Sequence, residues 1–191
     1  MTPRQSVVVA GGIASGKSQV VSLLSGLGWS VLKADELGHE VLLEPAVTEA
    51  VADRWPSAVI GGRVSRTALA RAVFADPKEL TALERLTHPM ITGRIESWID
   101  SSPKPAAVEV SVLKVARADW GALLIVHSPI LLRRKRARDR GMAADDVESR
   151  MASQLPDSEL LARAEIVIDN QGTLDDLTRV TCRFDRWART S

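Results

Sequence analysis

Cysteine is nearly absent: Cys182 stands alone in 191 residues, which excludes an internal disulfide and fits a reducing compartment. Long apolar runs are missing too. The stretch from Gly121 to Val126 is far too short to span a bilayer, and the N-terminal run Ser6–Ala10 is too short and too soon broken by glycine for a signal peptide. The expected location is therefore the cytoplasm, without a membrane partner. An excess of charge of one sign is also lacking. With 25 basic and 24 acidic residues, bulk charge gives no argument for a nucleic-acid or acidic-membrane partner. No internal repeat or low-complexity segment interrupts the chain. What remains is an ordinary globular composition, 45% hydrophobic and 26% charged, in a chain long enough for one domain with a sizeable core.

Against that background one stretch carries chemistry. Gly11-Gly12-Ile13-Ala14-Ser15-Gly16-Lys17-Ser18 follows the apolar run Ser6–Ala10 and leads, through Gln19, into a helical pattern. The spacing is G-x-x-x-x-G-K-[ST] at a strand–helix junction, where that motif cradles phosphate. Glycines let the backbone approach phosphate oxygens, and the turn's N–H groups with the helix N-terminus form an anion cradle. Lys17 adds a mobile cation for the β- and γ-phosphates, and the Ser18 hydroxyl is a ligand for Mg²⁺.

Further strands are expected at Ser30–Ala34, Pro105–Val112, Ala122–Val126 and Glu165–Asn170, alternating with helices. That alternation predicts an α/β fold with a five-stranded doubly wound parallel sheet flanked by helices. The segment from Ala46 to Trp98 reads as helical, broken at Trp55-Pro56, Gly61-Gly62, Asp76-Pro77 and His88-Pro89, and is too long for a plain crossover. It is read as an inserted substrate-binding lobe. The expected layout is one domain: a core of residues 1–34, 104–132 and 163–191, a helical lobe over about 35–103, and an arginine-rich lid over about 133–162.

Asp35 follows the second strand, expected beside the first, where ligands bind in open α/β sheets. Its carboxylate is read either as the base that takes a hydroxyl proton or as the N-cap of a helix reaching about Leu43. His39, one turn on, faces Asp35 or a substrate phosphate, or is a half-buried surface histidine. Glu109, inside a valine- and alanine-rich strand, needs a partner if buried, either Mg²⁺ with its waters or Ser18; otherwise it is a solvent-facing strand end. The basic run Arg133–Arg140 has no interleaved aromatics to stack on bases, so it reads as a lid helix from which one or two arginines clamp phosphates.

Taken together, the chain resembles the dephospho-CoA kinase family, phosphate-loop kinases related to nucleoside monophosphate kinases. The resemblance rests on the phosphate loop, Ala34-Asp35, Arg66 and Leu69 before Phe74, His88-Pro89-Met90-Ile91, the arginine-rich helix, Arg150, Gln154 and Ala164–Asn170. It implies transfer of the ATP γ-phosphoryl to the ribose 3′-hydroxyl of dephospho-CoA, with ATP and Mg²⁺ required and Asp35 and Lys17 catalytic. It implies ATP contacts from Gly11 through Gln19, Arg138, Arg140 and Asn170, and acceptor contacts from Lys33, His39, Arg66, His88 and Glu109. A monomer or weak homo-oligomer is expected. The chain departs from the family pattern at Gln19, Lys33, His39, Ser111, Val115 and Leu160, most of them expected around the acceptor. Another nucleotide acceptor, or a catalytically weakened nucleotide-binding homologue, is the alternative reading.

Overall fold

The structure is a computed structural model, and it describes residues 6–190. The chain falls into two compact units, one formed by the chain up to Lys33 and from Trp98 onward, the other by Ala34–Ser97.

The first unit is a five-stranded parallel sheet of β1 (Ser6–Ala10), β2 (Ser30–Lys33), β5 (Ala106–Glu109), β6 (Ala122–His127) and β7 (Ile166–Asp169), in the order β2-β5-β1-β6-β7. The second strand therefore does not lie beside the first, as the sequence suggests; β5 separates them. β1 and β5 are covered on both faces, which is why they read as continuous apolar runs rather than alternating ones. β5 is shorter than the expected Pro105–Val112, because the chain bends at Ser111 and makes a short 3₁₀ turn at Leu113–Val115.

Helix α1 (Lys17–Gly26) and the C-terminal helix α9 (Leu174–Thr190) pack one core with β1 and β6, through Val20, Val21, Leu24, Leu177 and Phe184. Trp29 seals it. Its ring lies 5.6 Å from that of Phe184, and its Nε1 donates to Asp185 Oδ1 at 2.7 Å. Helices α6 (Ile130–Asp139), α7 (Ala144–Ala152) and α8 (Asp157–Arg163) fill the stretch expected as a lid and belong to this same unit.

The second unit holds α2 (Ala34–Val41), α3 (Pro45–Arg54), a hairpin of β3 (Val59–Ile60) and β4 (Arg63–Val64), α4 (Arg66–Phe74) and most of α5 (Pro77–Ser101). The hairpin corrects the all-helical reading: Gly61 and Gly62 take φ 58° and 75°, the paired positive values a two-residue hairpin turn requires. On α4, Leu69 and Val73 are buried, while Phe74 at its end is 71% exposed.

The break expected at His88-Pro89 is also absent, since α5 runs straight through Pro89. Thr87, Ile91, Ile95 and Ile99 form a buried stripe at four-residue spacing across it. Pro89 itself is exposed, so water can satisfy the carbonyl it leaves without a donor. Continuous burial of the stripe outweighs the local penalty.

Candidate active site

The loop after β1 is shaped by residues that other side chains would spoil. Gly11 has φ 150° and Gly16 φ 103°; a Cβ on Gly11 would fall 2.3 Å from the Val126 carbonyl oxygen. Ser15 N donates to Gly12 O at 3.1 Å, closing the turn, and Gly16 O accepts from Gln19 N and Val20 N at 3.0 and 3.1 Å. Ile13 N donates to Gln154 Oε1 at 2.8 Å. Lys17 opens α1, is buried, and its Nζ donates to Gly11 O at 2.9 Å and Gly12 O at 3.2 Å. The backbone donors of the loop, the N-terminus of α1 and the Lys17 ammonium are thus brought together in one place.

Beside this loop lies a carboxylate that chemistry must account for. Ser18 Oγ donates to Glu109 Oε1 at 2.7 Å. Glu109 is only 7% exposed, and its Oε2 is buried with no partner among the described residues. The solvent-facing reading of Glu109 is thereby corrected, because β5 is flanked on both sides and sets it opposite Val9 and Lys33. A hydroxyl and an unsatisfied buried carboxylate oxygen are hard donors suited to Mg²⁺ or its waters, so the residues present fit that ion.

Behind the loop, Asn170 fixes its second half. This residue is 3% exposed, and its Nδ2 donates to Ser15 O at 2.8 Å. Ser128 Oγ donates to Asn170 O at 2.5 Å, joining β7 to the start of α6.

The basic run sorts by partner. Arg134 is forked onto Glu148 at 2.7 and 2.6 Å, and Lys135 reaches Asp139 at 2.8 Å. Arg133 donates through Nη2 to both oxygens of Asp157 at 2.8 and 2.9 Å. Arg136 instead donates to neutral acceptors, Ser128 Oγ at 2.9 Å and Asn170 Oδ1 at 3.4 Å. Burial, and secondarily the charge of Arg140, lower its pKa from the ordinary arginine value. Arg138 and Arg140, the arginines singled out from the sequence, are exposed. The members of the run that reach toward the loop are Arg133, against Gly12, and Arg136, on Ser128 and Asn170, three apart on one face of α6; that spacing was the available signal. Nothing local marked Asp157 or Ser128.

The remaining candidates divide between the units. Lys33 ends β2 opposite Glu109 in the sheet. Asp35 and His39 lie four residues apart on α2, in the other unit, and Asp35 is the second residue of that helix rather than its N-cap. Its carboxylate, with that of Glu36, sits in the first turn, where the helix dipole favours negative charge. Arg66 opens α4 behind Ser65, whose Oγ accepts from Ala68 N at 3.4 Å, and His88 is half-buried on α5. So Gly11–Gln19, Lys33, Glu109 and Asn170 share one unit, while Asp35, His39, Arg66 and His88 share the other. Among the described residues no helix is long and apolar enough to cross a membrane.

A family model described as dephospho-CoA kinase matches residues 5–176. The dephospho-CoA kinase of Frankia casuarinae is 36% identical over 179 residues, covering 90% of this chain and 78% of that protein. That of Thermus thermophilus is 35% identical over 175 residues, covering 90% and 85%. Among solved structures, one from Thermus thermophilus superposes with a TM-score of 0.84 at 33% identity, over 96% of this chain and 97% of that one. A shikimate kinase from Acinetobacter baumannii, at TM-score 0.55 and 15% identity over 98% and 96%, shares the fold. By sequence, by fold and by its phosphate loop, the chain belongs to the dephospho-CoA kinase family.

Proposed function

We propose that this chain transfers the γ-phosphoryl group of ATP to the ribose 3′-hydroxyl of dephospho-CoA, yielding coenzyme A and ADP in the cytoplasm. The observation that carries the donor half is the convergence of Lys17, the Ser18–Glu109 hydrogen bond and Asn170 on one loop. The acceptor half rests on membership of the family.

The loop N–H groups and Lys17 hold the β- and γ-phosphates, stabilising charge as the γ-phosphoryl transfers in line. Ser18 and Glu109 are the residues that would hold Mg²⁺, which when bound would neutralise negative charge on the nucleotide's phosphates. Arg136, held by neutral acceptors, is the cation readiest to accept a phosphate oxygen from the α6 side. Asp35 orients the attacking hydroxyl and takes its proton. Lys33, His39, Arg66 and His88 hold the acceptor.

The test is incubation of the pure protein with Mg·ATP and dephospho-CoA, with coenzyme A followed by chromatography. Asp35→Asn should lose turnover by roughly 10²-fold or more while ATP affinity stays unchanged. Unchanged turnover would remove Asp35 as the base. ADP formation with a different nucleotide acceptor, and none with dephospho-CoA, would replace the substrate.

A further inference from the structure

Arg133 is the most deeply buried charge in the basic run, at 5% exposure, and the phosphate-binding reading gives it no work. Its guanidinium is spent unevenly. Nη2 makes both bonds to Asp157, the first residue of α8. Nε is buried without a partner among the described residues. Nη1 lies against the phosphate loop: a Cβ built on Gly12 would fall 1.8 Å from it. The guanidinium therefore occupies the space a side chain at position 12 would take.

As a stabilising contact this arrangement is poor. Asp157 is about a third exposed, which screens the pair, while Arg133 carries the desolvation cost of an almost fully buried cation and leaves one donor unsatisfied. What it does accomplish is placement. The Gly12 carbonyl accepts from both Ser15 N and Lys17 Nζ, so whatever fixes the Gly12 peptide fixes the turn and the resting position of the lysine. Ile13 N is held by Gln154 and Ser15 O by Asn170, so the neighbouring loop peptides have their own anchors. Gly12 has Arg133. Gly12, Arg133, Asp157, Leu160 and Leu161 border one small pocket together with His127, whose Nε2 lies 4.0 Å from Asp157 Oδ2.

We propose that Arg133, oriented by Asp157, is a positioning residue for the nucleotide site, setting the Gly12 peptide from α6 and α8 so that the loop meets the ATP phosphates already formed. This rests on the kinase reading for its ligand but not on the identity of the acceptor. It acts through the loop, so it affects ATP and not the acceptor.

The experiment is equilibrium binding of ATP by calorimetry, with steady-state kinetics, for wild type, Arg133→Met, Arg133→Lys and Asp157→Asn. Arg133→Met should weaken ATP binding about tenfold, with the KM for dephospho-CoA unchanged and kcat at saturating ATP within about threefold of wild type. Asp157→Asn, at a more exposed position, tests the same coupling without emptying a buried site, and should weaken ATP in the same direction by less. Arg133→Lys should recover part of the loss. ATP affinity equal to wild type in both Arg133→Met and Asp157→Asn would overturn the inference, as would equal losses for ATP and dephospho-CoA, which a merely structural pair produces. A wild-type chain that binds ATP but does not phosphorylate dephospho-CoA would sink the acceptor reading and leave this inference standing. A wild-type chain that does not bind ATP would overturn both.

Discussion

Gly16→Ala tests the architecture of the phosphate loop most directly. Gly16 sits at φ 103° and ψ 14°, and an added Cβ would lie 2.2 Å from Asn170 Nδ2. Two costs follow. A side chain in the left-handed region costs about 1–2 kcal/mol, here at the upper end because φ lies beyond the left-handed minimum. Relieving the clash then requires Asn170 to move, and with it goes the 2.8 Å bond to Ser15 O. Losing that bond at a buried site costs about 1–2 kcal/mol more. The sum is roughly 2–4 kcal/mol, which for a chain of this size lowers the melting temperature by about 5–15 °C. Differential scanning calorimetry of Gly16→Ala, Asn170→Ala and the double variant separates the two costs. If the clash matters, Asn170→Ala makes room for the new methyl, and the double variant loses at least about 1 kcal/mol less than the summed singles. A melting temperature within about 1 °C of wild type for Gly16→Ala would refute the reasoning, since no relaxation of the loop is that cheap.

Two further outcomes follow. Glu109→Gln keeps an acceptor for Ser18 but removes the charge from the partnerless oxygen; the Mg²⁺ concentration for half-maximal turnover should rise about tenfold at fixed ATP, and an unchanged Mg²⁺ titration would exclude Glu109 from holding the ion. In the other unit, Glu79 accepts from Arg54 Nε and Nη2 at 2.8 and 2.9 Å and from Trp55 Nε1 at 2.8 Å; the bond from Arg54, foremost, holds its pKa below the ordinary 4.5. A carboxyl depressed on folding contributes stability above its unfolded pKa and loses it as pH falls through the folded one. The melting-temperature gap between wild type and Glu79→Gln should therefore be open at about pH 7 and narrow by about pH 3, and a gap constant across that range would contradict the assignment.

The elements legible in the sequence are those whose signals are local. The loop after β1 announces itself by spacing, and the apolar runs of β6 and β7 by composition, so the strand count follows. Strand order is not a local property. Nothing in Ser30–Lys33 says that β5 rather than β1 pairs with it; that depends on a strand more than 70 residues later. Pro89 misleads for the complementary reason. Its preference is local and real, but Ile91, Ile95 and Ile99 continue the stripe begun at Thr87, and their burial decides the outcome. The glycine pair at Gly61-Gly62 was recognisable as a break, yet its hairpin needed the positive φ at both positions to be known.

The candidate site divides in the same way, and its charges show why. Five arginines and a lysine between Arg133 and Arg140 are equivalent in sequence; only tertiary neighbours distinguish them. Arg134 already has Glu148 and Arg133 already has Asp157, partners 14 and 24 residues away. An arginine so paired must surrender a carboxylate before it takes a phosphate, so much of the new attraction replaces an old one. Exposed arginines such as Arg138 and Arg140 must surrender water, and their attraction is screened. Arg136 is different: it is half-buried, held by a hydroxyl and an amide, and its charged form is already disfavoured by burial and by Arg140. An arriving phosphate oxygen relieves that disfavour instead of competing with it, so the same anion gains more there than anywhere else on α6. Desolvation without a carboxylate, which no count of basic residues can reveal, is what singles out Arg136 as the proposed phosphate contact of the basic run.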